Sequence, residues 1–303
     1  MARSRFRTDR GLSLRMGGVS FGLGALYILF GAVLFAFMGN GVLALVIVLA
    51  IAWGQWYFSD TLALKSMNAQ IVEPHQAPEL HAMIDRLCAL ADMPKPRVAI
   101  AVTDMPNAFA TGRTPNHSAV CVTTGIMQRL DADELEGVLA HELSHVANRD
   151  VTVMTVASSI GLLAGFITRW GVYFGGMFGG GNRDRDNNGG PAFIVVFLVS
   201  LLVYAVSFVL IRGLSRYREL SADRSGAYMT GRPSKLSSAL VKISGDMSRI
   251  PNSDLRESQA MSAFFFAPAI NRESIGALFS THPPLQQRLD QLAKVSAELS
   301  EQG

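Results

Sequence analysis

The amino-acid sequence predicts a mostly helical α+β integral membrane protein with about four transmembrane helices and a small antiparallel sheet. Hydrophobic residues make up 49% of the 303 residues and charged residues only 17%, whereas soluble proteins average about 25% charged residues. Long uncharged runs alternate with polar segments that carry helical and strand patterns. The net charge of +3 is mild. Because the sequence also lacks a nucleic-acid-binding motif, no nucleic-acid partner is expected.

The N-terminal segment predicts a basic arm followed by a transmembrane hairpin. Five arginines and one aspartate occur in the first 15 residues. The 44 residues from 16 to 59 carry no charge, and about 20 apolar residues suffice to span a bilayer. Asn40 between two glycines indicates a turn, which favours spans at 18–38 and 42–58. A signal peptide is the alternative, but its apolar region would be only about 7–15 residues long.

The polar segment that follows predicts a water-exposed α+β part. Apolar residues recur at helical spacing over 76–92. Strand composition is found at 97–103 and 118–123, with the segment 107–113 between them. A further helix is expected to begin at Asp131, because an aspartate cap followed by a glutamate three residues later forms a capping box.

A second pair of spans is predicted in the middle of the chain. The runs 151–168 and 191–211 carry no charge, and a glycine-rich polar stretch at 179–190 separates them. Arg169 and the glycines around it keep open the alternative of two hydrophobic core helices. Helices are expected in the polar C-terminal part, and they are predicted at 213–230, 234–249 and 284–299.

The most informative motif is His141-Glu142-Leu143-Ser144-His145. Residues four apart lie on one face of a helix, so His141 and His145 can bind one zinc ion. Glu142 lies about 100° round the helix from His141 and can reach a zinc-bound water without being a ligand. The alternative is a pair of histidines on a solvated helix face.

A catalytic zinc keeps three protein ligands and one open position, so a third ligand must come from elsewhere in the chain. Glu219 lies on a predicted helix and can supply it. Asp223 shares its face and can accept a hydrogen bond from a ligand imidazole. The alternative is a solvated face on which both acids pair with neighbouring arginines. An even number of predicted spans separates His145 from Glu219, which puts both on one side of the membrane.

These motifs, taken together, resemble the HtpX family of membrane metalloproteases, relatives of the CAAX prenyl protease. The resemblance covers nearly the whole chain and rests on two pairs of spans and four motifs: NAFATG at 107–112, HELSHVANRD at 141–150, RELSAD at 218–223 and THPP at 281–284. It implies a gluzincin-like domain that binds one zinc per chain through His141, His145 and Glu219, with Glu142 as the catalytic base. Site-2 intramembrane proteases share HExxH but pair it with LDG, which is absent from this sequence.

The resemblance also implies roles for three further residues. Asn107 and Ala108 resemble the edge strand of gluzincins, where an Asn side chain and an Ala carbonyl contact the substrate backbone. The alternative is an ordinary hairpin in which Asn107 serves the turn after Pro106. His282 is expected to stabilise the oxyanion as a catalytic residue, and the alternative is a structural role at the start of the last helix.

The chain is therefore predicted to comprise an arm and transmembrane hairpin, a first catalytic part, a second transmembrane pair and a second catalytic part, at 1–60, 61–150, 151–211 and 212–303. The expected reaction is peptide-bond hydrolysis in membrane-protein quality control. The expected partners are misfolded or damaged membrane proteins and the lipid bilayer. The five N-terminal arginines predict a cell (inner) membrane location with the active site facing the cytoplasm. The alternatives are a non-catalytic zinc-stabilised scaffold and a transporter with an accidental HExxH.

Overall fold

The computed structural model describes residues 9–37, 56–150, 189–247 and 283–301, together with a few single positions between them. Within these ranges the helices are α1 (Arg10–Phe37), α2 (Ser59–Ser66), α3 (Pro78–Ala91), α4 (Thr124–Arg129), α5 (Ala132–Asn148), α6 (Gly189–Thr230), α7 (Pro233–Met247) and α8 (Leu285–Ser300). The strands are β1 (Gln70–Ile71), β2 (Arg97–Ala101), β3 (Ala108–Thr114) and β4 (His117–Thr123).

The chain divides into two compact units that do not follow the order of the sequence. One unit comprises Met1–Ser13, Phe58–Thr152 and Ser215–Gly303, and the other comprises Leu14–Tyr57 and Val153–Leu214. Residues 9–13 therefore belong with the polar parts, and the second unit contains the apolar segments. Each unit is assembled from segments that lie far apart in sequence.

Two helices of the described chain are long and apolar enough to cross a membrane, Arg10–Ala32 and Phe197–Thr230. In the apolar unit they pack through Phe30 and Val203, both buried, and the Tyr27 hydroxyl donates to Ser207 Oγ at 3.3 Å. The predicted spans at 42–58 and 151–168 lie largely outside the described residues.

The sheet corrects one expectation, because it is mixed rather than antiparallel. Its strand order is β1-β2-β4-β3. The outer pairs are antiparallel, whereas β2 and β4 are parallel. After β2 the chain crosses to the far edge to form β3 and then returns through a tight turn, so β4 fills the gap and runs in the direction of β2. Among the strands that the structure describes, β3 therefore lies at the edge of the sheet.

Helix α5 is the central helix of the polar unit, and its sequence fixes where it begins. Asp131 accepts a hydrogen bond from the Glu134 N–H at 2.8 Å, and Glu134 accepts one from the Asp131 N–H at 3.0 Å, which is the predicted capping box. Every residue from Glu134 to Val146 is buried. The apolar members, including Val138 and Leu143, join the main core with α3, α7 and the sheet.

The predicted span at 191–211 and the predicted helix at 213–230 form one continuous helix, α6. No proline interrupts it after Pro191. Its C-terminal part crosses α5 at small residues: Ala222 and Ser225 are buried, and a Cβ added at Gly226 would lie 2.9 Å from the backbone nitrogen of His141. Glycine at this crossing therefore lets the two helix backbones approach closely enough to bring their functional side chains together.

We expect Gly226→Ala to destabilise the protein, because the added methyl group meets backbone atoms of α5 that cannot rotate away. Overpacking of this kind costs about 1–3 kcal/mol, which would lower the thermal unfolding temperature. Gly213→Ala in the same helix is the matched control, since a Cβ there meets no atom within 4 Å. Equal unfolding temperatures for the two variants would contradict the close crossing.

Candidate metal centre

Three side chains predicted as metal ligands converge in the polar unit. His141 and His145 come from successive turns of α5, and Glu219 comes from α6; one ligand atom of each lies within 4.8 Å of the others. His141 Nε2 is 3.6 Å from Glu219 Oε2, and His145 Nε2 is 3.5 Å from Glu219 Oε1. Two ligands of a tetrahedral zinc ion lie about 3.4 Å apart, given bonds of about 2.0–2.1 Å. The spacing therefore fits one ion between the three side chains.

The other nitrogen of each imidazole is held by a carboxylate. His141 Nδ1 is 2.8 Å from Asp223 Oδ1, and His145 Nδ1 is 2.9 Å from Asp150 Oδ2. Both aspartates are at most 1% exposed. Such contacts fix the ring orientation and the tautomer, so that Nδ1 carries the proton and Nε2 is the nitrogen directed at Glu219.

The sequence analysis missed Asp150. Arg149 ends α5 in the left-handed conformation, with φ of 58°, and this turn sends the following residue back toward His145. The available signal was an acidic residue immediately after the helix that carries the motif. Sequence spacing alone does not show the reversal of the chain, so the contact becomes evident only from the helix cap.

Arg288 of α8 holds the carboxylate that orients His141. Its Nε and one terminal nitrogen donate to the two oxygens of Asp223 at 2.7 and 2.6 Å, and its side chain is 1% exposed. Burial acts to raise the pKa of Asp223, but the charge and hydrogen bonds of Arg288 outweigh it and hold that pKa below its usual range. Asp223 is therefore a carboxylate that accepts from Arg288 and His141.

Glu142 lies beside the ligands and faces the edge strand. It is 5% exposed, and its Oε2 accepts a hydrogen bond from the Ala110 N–H at 2.9 Å. Burial raises the pKa of Glu142, against the opposing charges of the two imidazoles. A carboxylate with a raised pKa is a better proton acceptor near neutral pH, which suits a general base.

The backbone of β3 offers its outer edge to the same region. The Thr123 N–H donates to the Asn107 carbonyl at 2.9 Å, so Asn107 is directed at β4. Because antiparallel pairs alternate, the backbone groups of Ala108 and Ala110 point away from β4, and the Ala110 contact with Glu142 agrees with this. Both Asn107 and Ala108 are 1% exposed. His282, the other residue expected at the site, lies outside the described residues.

The buried charges around the centre also fit a divalent cation. Arg218 donates to Glu219 Oε1 at 3.0 Å, and its side chain is 14% exposed. Among the residues that the structure describes, the buried or nearly buried charged side chains at the centre are the carboxylates Glu142, Asp150, Glu219 and Asp223 and the guanidinium groups Arg218 and Arg288. Two negative charges therefore remain for a dication to neutralise.

The titration of His141 reflects the same excess of negative charge. Burial acts to lower the pKa of His141, but the hydrogen bond and charge of Asp223 outweigh it and raise that pKa to about 9. A cation bound at Nε2 therefore has to displace a proton, which couples metal binding to proton release.

Comparisons with known proteins show which proteins this chain is similar to. The family model described as peptidase family M48 matches residues 74–296. The chain is 54% identical over 299 residues to Protease HtpX homolog 1 of Streptomyces coelicolor, covering 98% of this chain and 97% of that protein. It is 53% identical over 300 residues to the Protease HtpX homolog of Moorella thermoacetica, covering 99% of each.

A solved structure has a similar fold. The crystal structure of S. mikatae Ste24p matches with a TM-score of 0.53 and 17% identity, covering 95% of this chain and 68% of that one. At this identity the match speaks for the fold alone. From the family match and the high identity over nearly the whole chain, we conclude that the protein belongs to peptidase family M48, as a membrane-bound metalloprotease of the HtpX type.

Proposed function

We propose that the chain is a zinc endopeptidase that binds one Zn²⁺ through His141, His145 and Glu219. The observation that carries this proposal is the 3.5–3.6 Å spacing between the two Nε2 atoms and the Glu219 carboxylate. Zinc suits this donor set because two imidazoles and one carboxylate leave a position open, as in other catalytic sites. When bound, zinc supplies Lewis acidity for the scissile carbonyl and for the attacking water.

Glu142 is the general base in this proposal. It accepts a proton from the attacking water and delivers it to the amine that leaves when the peptide bond breaks. Its burial and its hydrogen bond to Ala110 support this role, because they hold one oxygen toward β3 while leaving the carboxylate basic. The substrate backbone would therefore run between β3 and α5.

We further propose that an extended substrate pairs with the outer edge of β3, where Asn107 and Ala108 contact its main chain. The direction of the Ala108 backbone, away from β4, supports this, since backbone groups on the outer side of an edge strand can pair with an added strand. A cavity is lined by Thr111 and Gly112 of β3, by His145 of α5 and by Arg149, the residue that caps α5. Backbone pairing suits an enzyme that accepts many sequences.

The biological role that we propose is membrane-protein quality control, with misfolded or damaged membrane proteins as substrates. Helix α6 supports this role, because the helix that carries Glu219 includes a segment long and apolar enough to span the bilayer. The proposed location is the cell (inner) membrane with the active site on the cytoplasmic side. The arginine-rich N-terminus supports this orientation by the positive-inside rule.

The roles of base and ligand are separable. We expect Glu142→Gln to bind zinc as the wild type does and to lose peptide hydrolysis, by about 1,000-fold or more, because the amide cannot accept the proton of the water. His141→Ala, His145→Ala and Glu219→Ala should each lose the metal. Zinc content by mass spectrometry and cleavage of an unfolded casein substrate are the measurements.

Asp223→Asn serves as a graded control in the same experiment. It keeps the shape of the side chain but weakens the contacts to Arg288 and His141, so zinc affinity should fall about 10- to 100-fold. A Glu142→Gln variant that cleaves casein near the wild-type rate would show that another group is the base.

The edge strand can be tested by two substitutions. Ala108→Pro removes an N–H that is directed away from β4, and Asn107→Ala deletes a side chain at the start of the strand. We expect each to lower kcat/KM about 10-fold, the effect of one or two lost backbone contacts, while zinc stays bound. Unchanged kinetics for both variants in folded protein would place the substrate elsewhere.

The orientation can be tested by single-cysteine labelling with a membrane-impermeant maleimide. We expect Asp186→Cys, in the loop between the last two predicted spans, to react from outside the cell, and Asp290→Cys, on an exposed position of α8, to react only after the membrane is opened. Cys88 and Cys121 need not be replaced, because burial raises their thiol pKa values to about 11 and about 12. The reverse pattern would overturn the cytoplasmic assignment.

A further inference from the structure

We propose that Asp9 is a positioning residue for the metal centre, which ties the start of the first membrane helix to the helix that carries Glu219. It acts through the hydroxyl of Ser221, and we call this pair, Asp9 and Ser221, the arm contact. The inference rests on the proposed zinc function. It assigns a role in the metal centre to a residue that lies more than 200 residues from Glu219 in sequence.

The two oxygens of the Asp9 carboxylate serve two different helices. Oδ1 accepts a hydrogen bond from the Leu12 N–H at 2.9 Å, which caps the first turn of α1. Oδ2 accepts one from Ser221 Oγ at 2.8 Å. Ser221 is 3% exposed, so water does not readily replace this partner. One side chain thus fixes the start of α1 and α6 to each other.

A second close approach lies beside the arm contact. A Cβ added at Gly11 would lie 2.6 Å from the Tyr217 hydroxyl oxygen, so the start of α1 lies close to the hydroxyl end of that side chain. The neighbouring Leu12 is 1% exposed. Residues 9–13 belong to the same compact unit as the metal centre.

These contacts lie on the face of α6 opposite Glu219. Tyr217 and Ser221 are two residues before and two residues after Glu219, and residues two apart on a helix point about 200° from each other. A rotation of α6 by about 10° moves a carboxylate about 5 Å from the helix axis by about 1 Å. That displacement exceeds the tolerance of about 0.5 Å within which a functional site must be held.

The experiment uses full-length protein in detergent and measures three quantities: zinc affinity against a competing chelator, the visible spectrum of the Co²⁺-substituted protein, and kcat/KM. We expect Ser221→Ala to weaken zinc binding about 5-fold, less than the loss for a residue that touches a ligand, and to shift the cobalt bands. A purely structural role would lower thermal stability and leave the cobalt spectrum of folded protein unchanged.

Three further variants isolate the arm contact. Asp9→Ala should reproduce the Ser221→Ala effect, and the double variant should lose no more than Asp9→Ala alone. Asp9→Asn should restore values to within about 2-fold of wild type, because its amide group can donate to the hydroxyl while its oxygen still caps α1. Ser13→Ala is the matched control, since that hydroxyl donates only to the Asp9 backbone carbonyl, at 3.2 Å.

Several outcomes would overturn the inference. One is an unchanged zinc affinity and cobalt spectrum in Ser221→Ala; another is additive losses in the double variant; a third is a loss in Ser13→Ala as large as in Ser221→Ala. A wild-type protein that binds neither zinc nor cobalt would have a different meaning, because it would remove the proposed metal function itself and the role of Asp9 with it.

Discussion

Each buried carboxylate needs a hydrogen-bond donor or a positive charge beside it, and this constraint determines how the polar unit packs around the metal centre. An isolated charge in the interior is strongly destabilising unless it is paired and hydrogen-bonded. Asp223 accepts from Arg288 and lies against His141, Asp150 lies against His145, Glu219 accepts from Arg218, and Glu142 accepts from the Ala110 N–H. Asp223 and Glu142 find their partners on other elements, so satisfying these two charges requires α5, α6, α8 and β3 to pack together. The excess of negative charge that remains is the electrostatic basis for holding a dication.

The same constraint explains why the metal centre needs the C-terminal helix. Helix α5 supplies two imidazoles and the proposed base, and α6 supplies the third proposed ligand. Without Arg288, the buried carboxylate of Asp223 on α6 would lack its guanidinium partner. Helix α8 makes further contacts with α6: Gln291 donates a hydrogen bond to the Leu220 carbonyl at 2.8 Å, and Arg224 forms an ion pair with Glu298. The site is therefore complete only when the last helix has docked, and metal binding and folding of this unit are coupled.

One continuous helix, α6, contains both an apolar segment and two residues of the centre. A helix is stiff over tens of ångströms because every backbone group is hydrogen-bonded within it, and Gly189–Thr230 runs without a break through the apolar segment to Glu219 and Asp223. The close crossing at Gly226 sets the distance between α6 and α5. Within the polar unit, the position of Glu219 relative to His141 and His145 is therefore set by core packing.

Local patterns in the sequence were sufficient for the parts that depend on neighbouring residues. The spacing of His141, Glu142 and His145 follows from helical periodicity alone, the start of α5 from its capping box, and Glu219 with Asp223 from one turn of a helix. The four predicted spans rest on composition, and two of them correspond to described helices.

The parts that depend on distant residues were decided only by the tertiary structure. The sheet is mixed because β4 inserts between β2 and β3, an order that strand composition does not encode. Asp150 reaches His145 because a left-handed helix cap turns the chain back, and Arg288 reaches Asp223 because α8 docks against α6. The close approach of α5 and α6 depends on Gly226, which has no Cβ. Sequence periodicity reports on one element at a time, whereas the charge balance of the centre is a property of several elements packed together.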